Sequence, residues 1–307
     1  MMRRALVLGA EYEMGNLISK ALSQYNWYVV AAIDDPQHTV ALHSDMTLAE
    51  LGEKDVELLE QLIQDVDTVF LHLPDPSLGG QVIFSLDTVL ALIIKHGRHL
   101  MLTTNHYEHQ YSRLSKLLFW KATSPITTAL PHKLTRQLNA AADAGASISV
   151  MCCGHSLSCA RPQSYLGMFI KENDNSLTLQ SPGPFGQRHY WTYLPDFAEN
   201  IVHQLSTQKT HHTQLEVSYY PGHLVSIQDI ARSLALSCGK PVNVTQLSWG
   251  LIEAISLFSP VFRGLAHMRS VWQCGQTIPS SNLLPQQYLF VHTPLEIAVQ
   301  QSWRQDQ

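Results

Sequence analysis

The stretch VLGAEYEMGNL, residues 7 to 17, passes from a continuous apolar run into a helical spacing through a loop that carries Gly9 and Gly15. Glycines at that separation, between a buried strand and a helix, suit a turn that holds a dinucleotide. The first makes the turn, a middle one admits the pyrophosphate, and the last lets the helix pack on the strand. Here the middle position is Tyr12, flanked by Glu11 and Glu13. A carboxylate about 6 Å from a phosphate costs roughly 2 to 3 kcal/mol at an effective dielectric of about 20, and the helix N-terminus offsets about 1 kcal/mol of that. The end glycines keep the framework while bulk and charge oppose the anion. Gly9, Tyr12, Met14 and Gly15 are the loop's candidate cofactor positions. Asp34 closes the next apolar run, where a carboxylate bonds a ribose 2′-hydroxyl and repels a 2′-phosphate, which favours NAD over NADP. The alternative for Asp34 is a solvated turn residue beside Asp35 and Pro36.

Other chemistries fit less well. Sixteen histidines invite a metal, chiefly His106 and His109 in HYEH and the pair His211 and His212. Zinc needs three or four converging ligands, and HYEH is not the H-E-x-x-H helix pattern, so no metal site is expected. Cys152, Cys153 and Cys159 do not make a C-x-x-C redox pair, and five cysteines in all are an odd, sparse set that fits reduced thiols. A Ser-His-Asp hydrolase would need a G-x-S-x-G elbow, which the sequence lacks.

The elements that must position these residues follow from apolar periodicity. RALVLGA, WYVVAAIDD, DTVFLHL, HLMLTTN and ASISVMCC read as buried strands. Met14 to Tyr25, Leu51 to Asp65, Leu86 to Lys95 and Pro131 to Ala144 read as helices between them. That alternation predicts an α/β fold: a Rossmann-type, doubly wound parallel sheet over residues 1–155. Residues 156–307 are expected to form a smaller, mainly substrate-binding part, some of whose segments return to the Rossmann core. In it, residues 172–190 read as a surface loop or short hairpin and Asp196 to Leu205 as a helix. Ser226 with Asp229 and Thr293 with Glu296 read as helix caps.

At 307 residues, with 45% hydrophobic and 15% charged, the chain can bury a large core in one or two domains. A net charge of -5 with scattered Lys and Arg argues against nucleic acid as a partner. No apolar run reaches the roughly 20 residues of a membrane span, and MMRRALVLGA does not read as a secretory signal, so the cytoplasm is the expected compartment and no membrane partner is expected. LIEAISLFSPVFRGLAHM, interrupted by Glu253, Pro260 and Arg263, is expected to cover the substrate pocket or form a homodimer surface.

Taken in order, the opening loop, DVDTVFLHL, TTNHY, YWTYLPDFAENI, IQDIARSLALSCGKPVNV, LFSPVFRGL and TPLEIAVQQSW resemble the extended and atypical short-chain dehydrogenase/reductases, in particular bacterial NAD-dependent epimerase/dehydratases and nucleoside-diphosphate-sugar epimerases. The resemblance implies a dinucleotide in the crevice between the two parts and a small-molecule substrate, a nucleotide sugar among the candidates, whose hydroxyl or carbonyl is oxidised or reduced. It adds Asp45, Leu73 and Asn105 to the cofactor positions. For catalysis it implies a substrate-binding hydroxyl at Thr103, a proton donor at Tyr107 and a lysine at Lys133.

This sequence departs from the family at three places. Ala129 stands four residues before Lys133, where the Y-x-x-x-K pattern has its tyrosine; Tyr12 replaces a glycine; and VMCCGHSLSCARP lacks the arginine and Gly-Pro that related proteins carry. These departures motivate a second reading, a catalytically degenerate relative that works as a metabolite sensor, regulator or protein-binding scaffold.

Overall fold

The computed structural model describes residues 2–34, 46–73, 82–104, 126–127, 130–157, 165–207 and 215–304. The first half alternates: β1 (Arg4–Leu8), α1 (Glu13–Gln24), β2 (Tyr28–Ile33), β3 (Thr47–Glu50), α2 (Val56–Gln64), β4 (Thr68–Leu73), α3 (Leu86–His96), β5 (His99–Thr104), β6 (Ile126–Thr127), α4 (His132–Asp143) and β7 (Ser147–Cys152). The second half is more mixed: β8 (His155–Leu157), α5 (Tyr165–Phe169), β9 (Ile170–Asn173), β10 (Ser176–Ser181), β11 (Arg188–Tyr193), α6 (Leu194–Thr207), β12 (Leu215–Tyr219), β13 (His223–Ser226), α7 (Ile227–Cys238), β14 (Val242–Gln246), α8 (Trp249–Ser256), α9 (Pro260–His267), α10 (Arg269–Cys274), β15 (Gln276–Thr277) and α11 (Leu295–Arg304).

Seven strands make the central sheet in the order β12-β7-β5-β4-β1-β2-β3, and every neighbouring pair is parallel. The winding reverses between β1 and β4, and in such a sheet ligands sit beyond the strand C-termini at that reversal. Strand alternation sends Leu6, Leu71, Leu102 and Val150 to one face, against α2, α3 and α4. It sends Val7, Phe70, Met101 and Met151 to the other, against α1 and α6. Each fully buried side chain of this kind contributes roughly 2 kcal/mol, which is why these strands read as unbroken apolar runs. No helix among the described residues is long and apolar enough to cross a membrane.

Two early elements differ from expectation. Thr47–Glu50 is a strand at the sheet edge, and the following helix starts at Val56 instead of Leu51. The Leu51 N–H bonds to Ile33 O, extending the pairing of β3 with β2, and Asp55 Oδ2 accepts the Gly52 N–H, turning the chain before the helix. The strand eluded sequence reading because three of its four residues are exposed, so no apolar run marks it.

The second half sends α6 and β12 back to the central layer. Its own core gathers Phe169, Leu177, Trp191, Ile230, Trp272 and Val299. The Asn- and Ser-rich stretch folds in part as the hairpin of β9 and β10, closed through Asn173 and Ser176. Thr293 does more than begin a helix, because its N–H and its hydroxyl both donate to the buried Asp196 carboxylate and so tie the chain entering α11 to α6. At the start of α7, Ser226 Oγ accepts the Asp229 N–H and the Asp229 carboxylate accepts the Ser226 N–H, a complete capping box. Ser226→Ala is expected to cost about 1 kcal/mol in a chemical denaturation series.

Candidate functional site

The corner where β1, α1 and β2 meet brings Gly9, Tyr12, Gly15 and Asp34 together. Gly9 has φ +75°, the left-handed region a glycine enters without strain. Ala10 N–H bonds to Ala32 O at 2.9 Å and Tyr12 N–H bonds back to Gly9 O at 3.1 Å, so the turn is pinned to β2 and to itself. A Cβ built on Gly15 would lie 2.1 Å from Gly9 O, which leaves room for hydrogen alone where the helix crosses the strand end. Both end glycines therefore perform the duties read from the sequence. Met14 turns its side chain into the core beside Val7 and Ile18, so only its backbone faces the loop.

Tyr12 is 42% exposed. Its ring folds back over the turn, with Cδ2 3.1 Å from where a Cβ on Gly9 would stand. One edge of the ring thus lies beside Gly9.

Glu11 behaves differently from the sequence expectation of a repelling surface acid. It is 5% exposed, and its Oε1 accepts the Asp34 N–H at 3.4 Å. Burial, reinforced by the Asp34 carboxyl beside it, raises its pKa to about 7, so near neutrality it carries its proton much of the time. Repulsion from this position is weaker than a full charge would give. Asp34 itself is exposed directly after β2.

Thr103 lies two strands away from β1 in the sheet and is 2% exposed. It faces the α1 side, directly across from His72 on β4, with Oγ1 and His72 Nδ1 3.0 Å apart. An isolated histidine in the apolar run TVFLHL was the signal that could have paired the two. Leu73, the last residue of β4, is half-buried and packs against the opposite core. Lys133 sits exposed in the first turn of α4, beside an open groove with His132 and Arg136, apart from the loop residues. Asp45, Asn105 and Tyr107 lie outside the described residues, as do Ala129, Cys159, His106, His109, His211 and His212.

Past β7 the chain turns sharply against the second half. Cys153 N–H bonds to Thr104 O, Gly154 N–H bonds to Thr192 Oγ1, and a Cβ on Gly154 would meet Tyr190 O at 2.2 Å. Burial pushes the Cys152 thiol well above its usual range, which removes it as a nucleophile near neutral pH. Among the described residues Cys152, Cys153, Cys238 and Cys274 form no disulfide, and no cluster of three metal-ligating side chains occurs. Beyond Gly154, His155 stacks flat on Trp272, ring centroids 3.8 Å apart, and His189 lies 4.8 Å from the same indole. Burial holds both imidazoles below their ordinary pKa, His189 at about 4.

This arrangement defines a Rossmann-type α/β protein, a seven-stranded parallel sheet flanked by helices. The chain has the fold of the extended short-chain dehydrogenase/reductases. It superposes on a leucoanthocyanidin reductase–NADPH complex from Vitis vinifera with a TM-score of 0.65 at 12% identity, covering 97% of this chain and 98% of that one. A nucleoside-diphosphate-sugar epimerase from Staphylococcus aureus gives 0.65 at 13%, covering 98% and 100%, and an isoflavone reductase gives 0.63 at 13%, covering 98% and 99%. In sequence, no protein-family model and no curated protein matches the chain.

Proposed function

We propose that this protein is a nicotinamide-dinucleotide-dependent oxidoreductase of the reductase and epimerase kind, preferring NAD to NADP and acting on a hydroxyl or carbonyl of a small molecule, a nucleotide sugar among the candidates. The observation that carries the reading is the Gly9–Gly15 contact, a strand-to-helix approach closed to any side chain. It brings the start of α1 against the end of β1, and the first-turn amides and dipole of a helix so placed suit a diphosphate. Gly9, Met14 and Gly15 would hold the diphosphate through backbone, Tyr12 would lie along it, and Asp34 would take the ribose. Leu73, Asp45 and Asn105 complete the proposed contacts. When bound, the dinucleotide supplies hydride transfer.

In this reading Thr103 holds the substrate oxygen, Tyr107 gives and takes the proton, and Lys133 keeps the phenol acidic. His72, within hydrogen-bond distance of Thr103, fixes the direction of that hydroxyl. Residues 1–155 carry the cofactor and 156–307 mainly the substrate. A cytoplasmic setting belongs to the same reading, as does a homodimer through the apolar ridge at Leu257 and Phe258, which are 72% and 88% exposed.

One observation favours the second reading, a degenerate relative acting as sensor or scaffold: the Tyr12 ring lying beside Gly9. Titration of the whole chain with NADH, followed calorimetrically, separates the two. Saturable binding by the wild type, strengthened about tenfold in Tyr12→Gly, is the expected result. Affinity that exists only in Tyr12→Gly would support degeneration. An absence of binding by both proteins at millimolar NADH and NADPH would overturn the enzyme reading.

A further inference from the structure

Helix α8 is apolar on two sides. Trp249 and Ile252 turn inward, into the core of the second half. The helical path runs on past Ser256, since Leu257 keeps αR backbone and the Ser259 N–H bonds to Ile255 O. Leu251, Ala254, Ile255 and Phe258 therefore fall at i, i+3, i+4 and i+7 on the other side, the spacing with which one helix packs on another. Ile255 is half-buried, while Leu251, Ala254 and Phe258 are exposed. A helix with apolar residues on both sides is ordinarily covered on both.

The stripe is large at its ends and small in its middle, a pattern that is its own complement when reversed. Laid antiparallel across a two-fold axis, it sets Leu251 of one copy against Phe258 of the other, and Ala254 lets the two helix axes approach. Charge does not oppose the contact. Between Trp249 and Ser259 only Glu253 is charged, and it accepts from Arg269 of the same helical hairpin. A lipid surface calls for cations free beside the apolar face. Here Arg263 donates to Ser256 O, and Arg269, bonded to Glu253, lies over the Trp249 ring. Leu251, Leu257 and Phe258, at 59%, 72% and 88% exposed, offer on the order of 400 Å² of side-chain surface, taking about 200 Å² for a large apolar residue. With Ala254, Ile255 and Phe262 the hairpin reaches the roughly 600 Å² per partner of a small, reversible interface.

We infer that α8 pairs with α8 of a second copy of this chain, antiparallel about a two-fold axis at Ala254, with Leu251 of each copy packed on Phe258 of the other. The inference rests on the homodimer of the reading above and gives that homodimer its contact face and direction.

The whole chain is followed by sedimentation equilibrium from about 1 to 200 µM, as wild type, Leu251→Glu, Phe258→Lys and an equimolar mixture of the two variants, with thermal melts to check folding. Wild type is expected to dissociate by half near ~10 µM. Each variant alone is expected to associate at least about 30-fold more weakly. The mixture should recover to within about tenfold of wild type, because one Leu251–Phe258 contact is kept and the other becomes a glutamate–lysine pair. Dimers that persist in both single variants, or a mixture that stays monomeric, overturn the pairing and leave the dinucleotide reading standing. If either variant does not fold, Ala254→Glu decides: it brings two carboxylates together at the axis, and a folded variant as dimeric as wild type overturns the inference. Wild type that remains monomeric at 200 µM also overturns it, including when it cosediments with phosphatidylcholine–phosphatidylglycerol vesicles. NADH titration of the same proteins tests the dinucleotide reading separately.

Discussion

Gly15→Ala is expected to destabilise the protein by about 3 kcal/mol and to weaken NADH binding at least about tenfold. The new methyl would stand 2.1 Å from Gly9 O, 2.8 Å from Gly9 C and 2.9 Å from Ala10 Cα, all backbone atoms of the turn. None of these can rotate away as a flexible side chain would. Either α1 moves off β1, which opens the core around Met14 and Ile18, or the turn deforms and carries Tyr12 and Glu11 with it. Gly97→Ala is the control. Gly97 also has a positive φ, +60° at the end of α3, but a Cβ there meets nothing within 4 Å, so only backbone strain of roughly 1 kcal/mol is expected. Urea midpoints at constant m-value give both numbers. Equal losses at the two glycines would show that the α1–β1 contact is looser than the geometry requires.

Lowering the pH from about 7 to about 4.5 is expected to reduce stability sharply, with the largest share arising in the second half of the chain. His189 is 2% exposed and its pKa is lowered to about 4 from 6.5, because burial penalises the imidazolium. The sign follows from proton counting. Below 6.5 the unfolded chain takes up a proton that the fold refuses, so stability is complete above that pH and declines as pH falls toward 4. The shift corresponds to about 3 kcal/mol for His189. His155 moves the same way, and so does His223, which burial and the neighbouring His292 lower to about 4. Glu11 opposes them. Its raised pKa stabilises the fold at low pH, an advantage lost as pH rises from about 4.5 to about 7. Three imidazoles outweigh one carboxyl, so net acid sensitivity is expected. Denaturation in urea at a series of pH values, for wild type and His189→Phe, checks this. The variant should show a shallower slope by about one proton between pH 4.5 and 6.5. Identical slopes would mean that His189 is not held neutral.

The reach of sequence reading is clearest where it stopped short. Val7, Val30, Phe70, Met101 and Val150 were legible as strand residues because both faces of the sheet are covered, so most positions along the run are apolar. Gly9 and Gly15 were legible because each duty admits glycine alone. Thr47–Glu50 was not, since an exposed edge strand leaves no mark in hydrophobicity. Glu11 was read by its charge, yet its direction depends on Asp34, 23 residues away, which supplies the N–H that draws it inward. Thr293 was read as a local cap, and it also bonds to Asp196, 97 residues earlier in the chain.

The amino-acid order alone therefore determined the α/β class, the parallel sheet of the first half and the two glycines that join strand to helix, because periodicity and conformational freedom are local properties. Only the tertiary structure decided that Tyr12 lies beside Gly9, that Glu11 is buried against Asp34 and that Thr103 faces His72. Those outcomes depend on which distant groups share one low-dielectric volume, and solvation, hydrogen-bond partners and protonation all follow from that proximity.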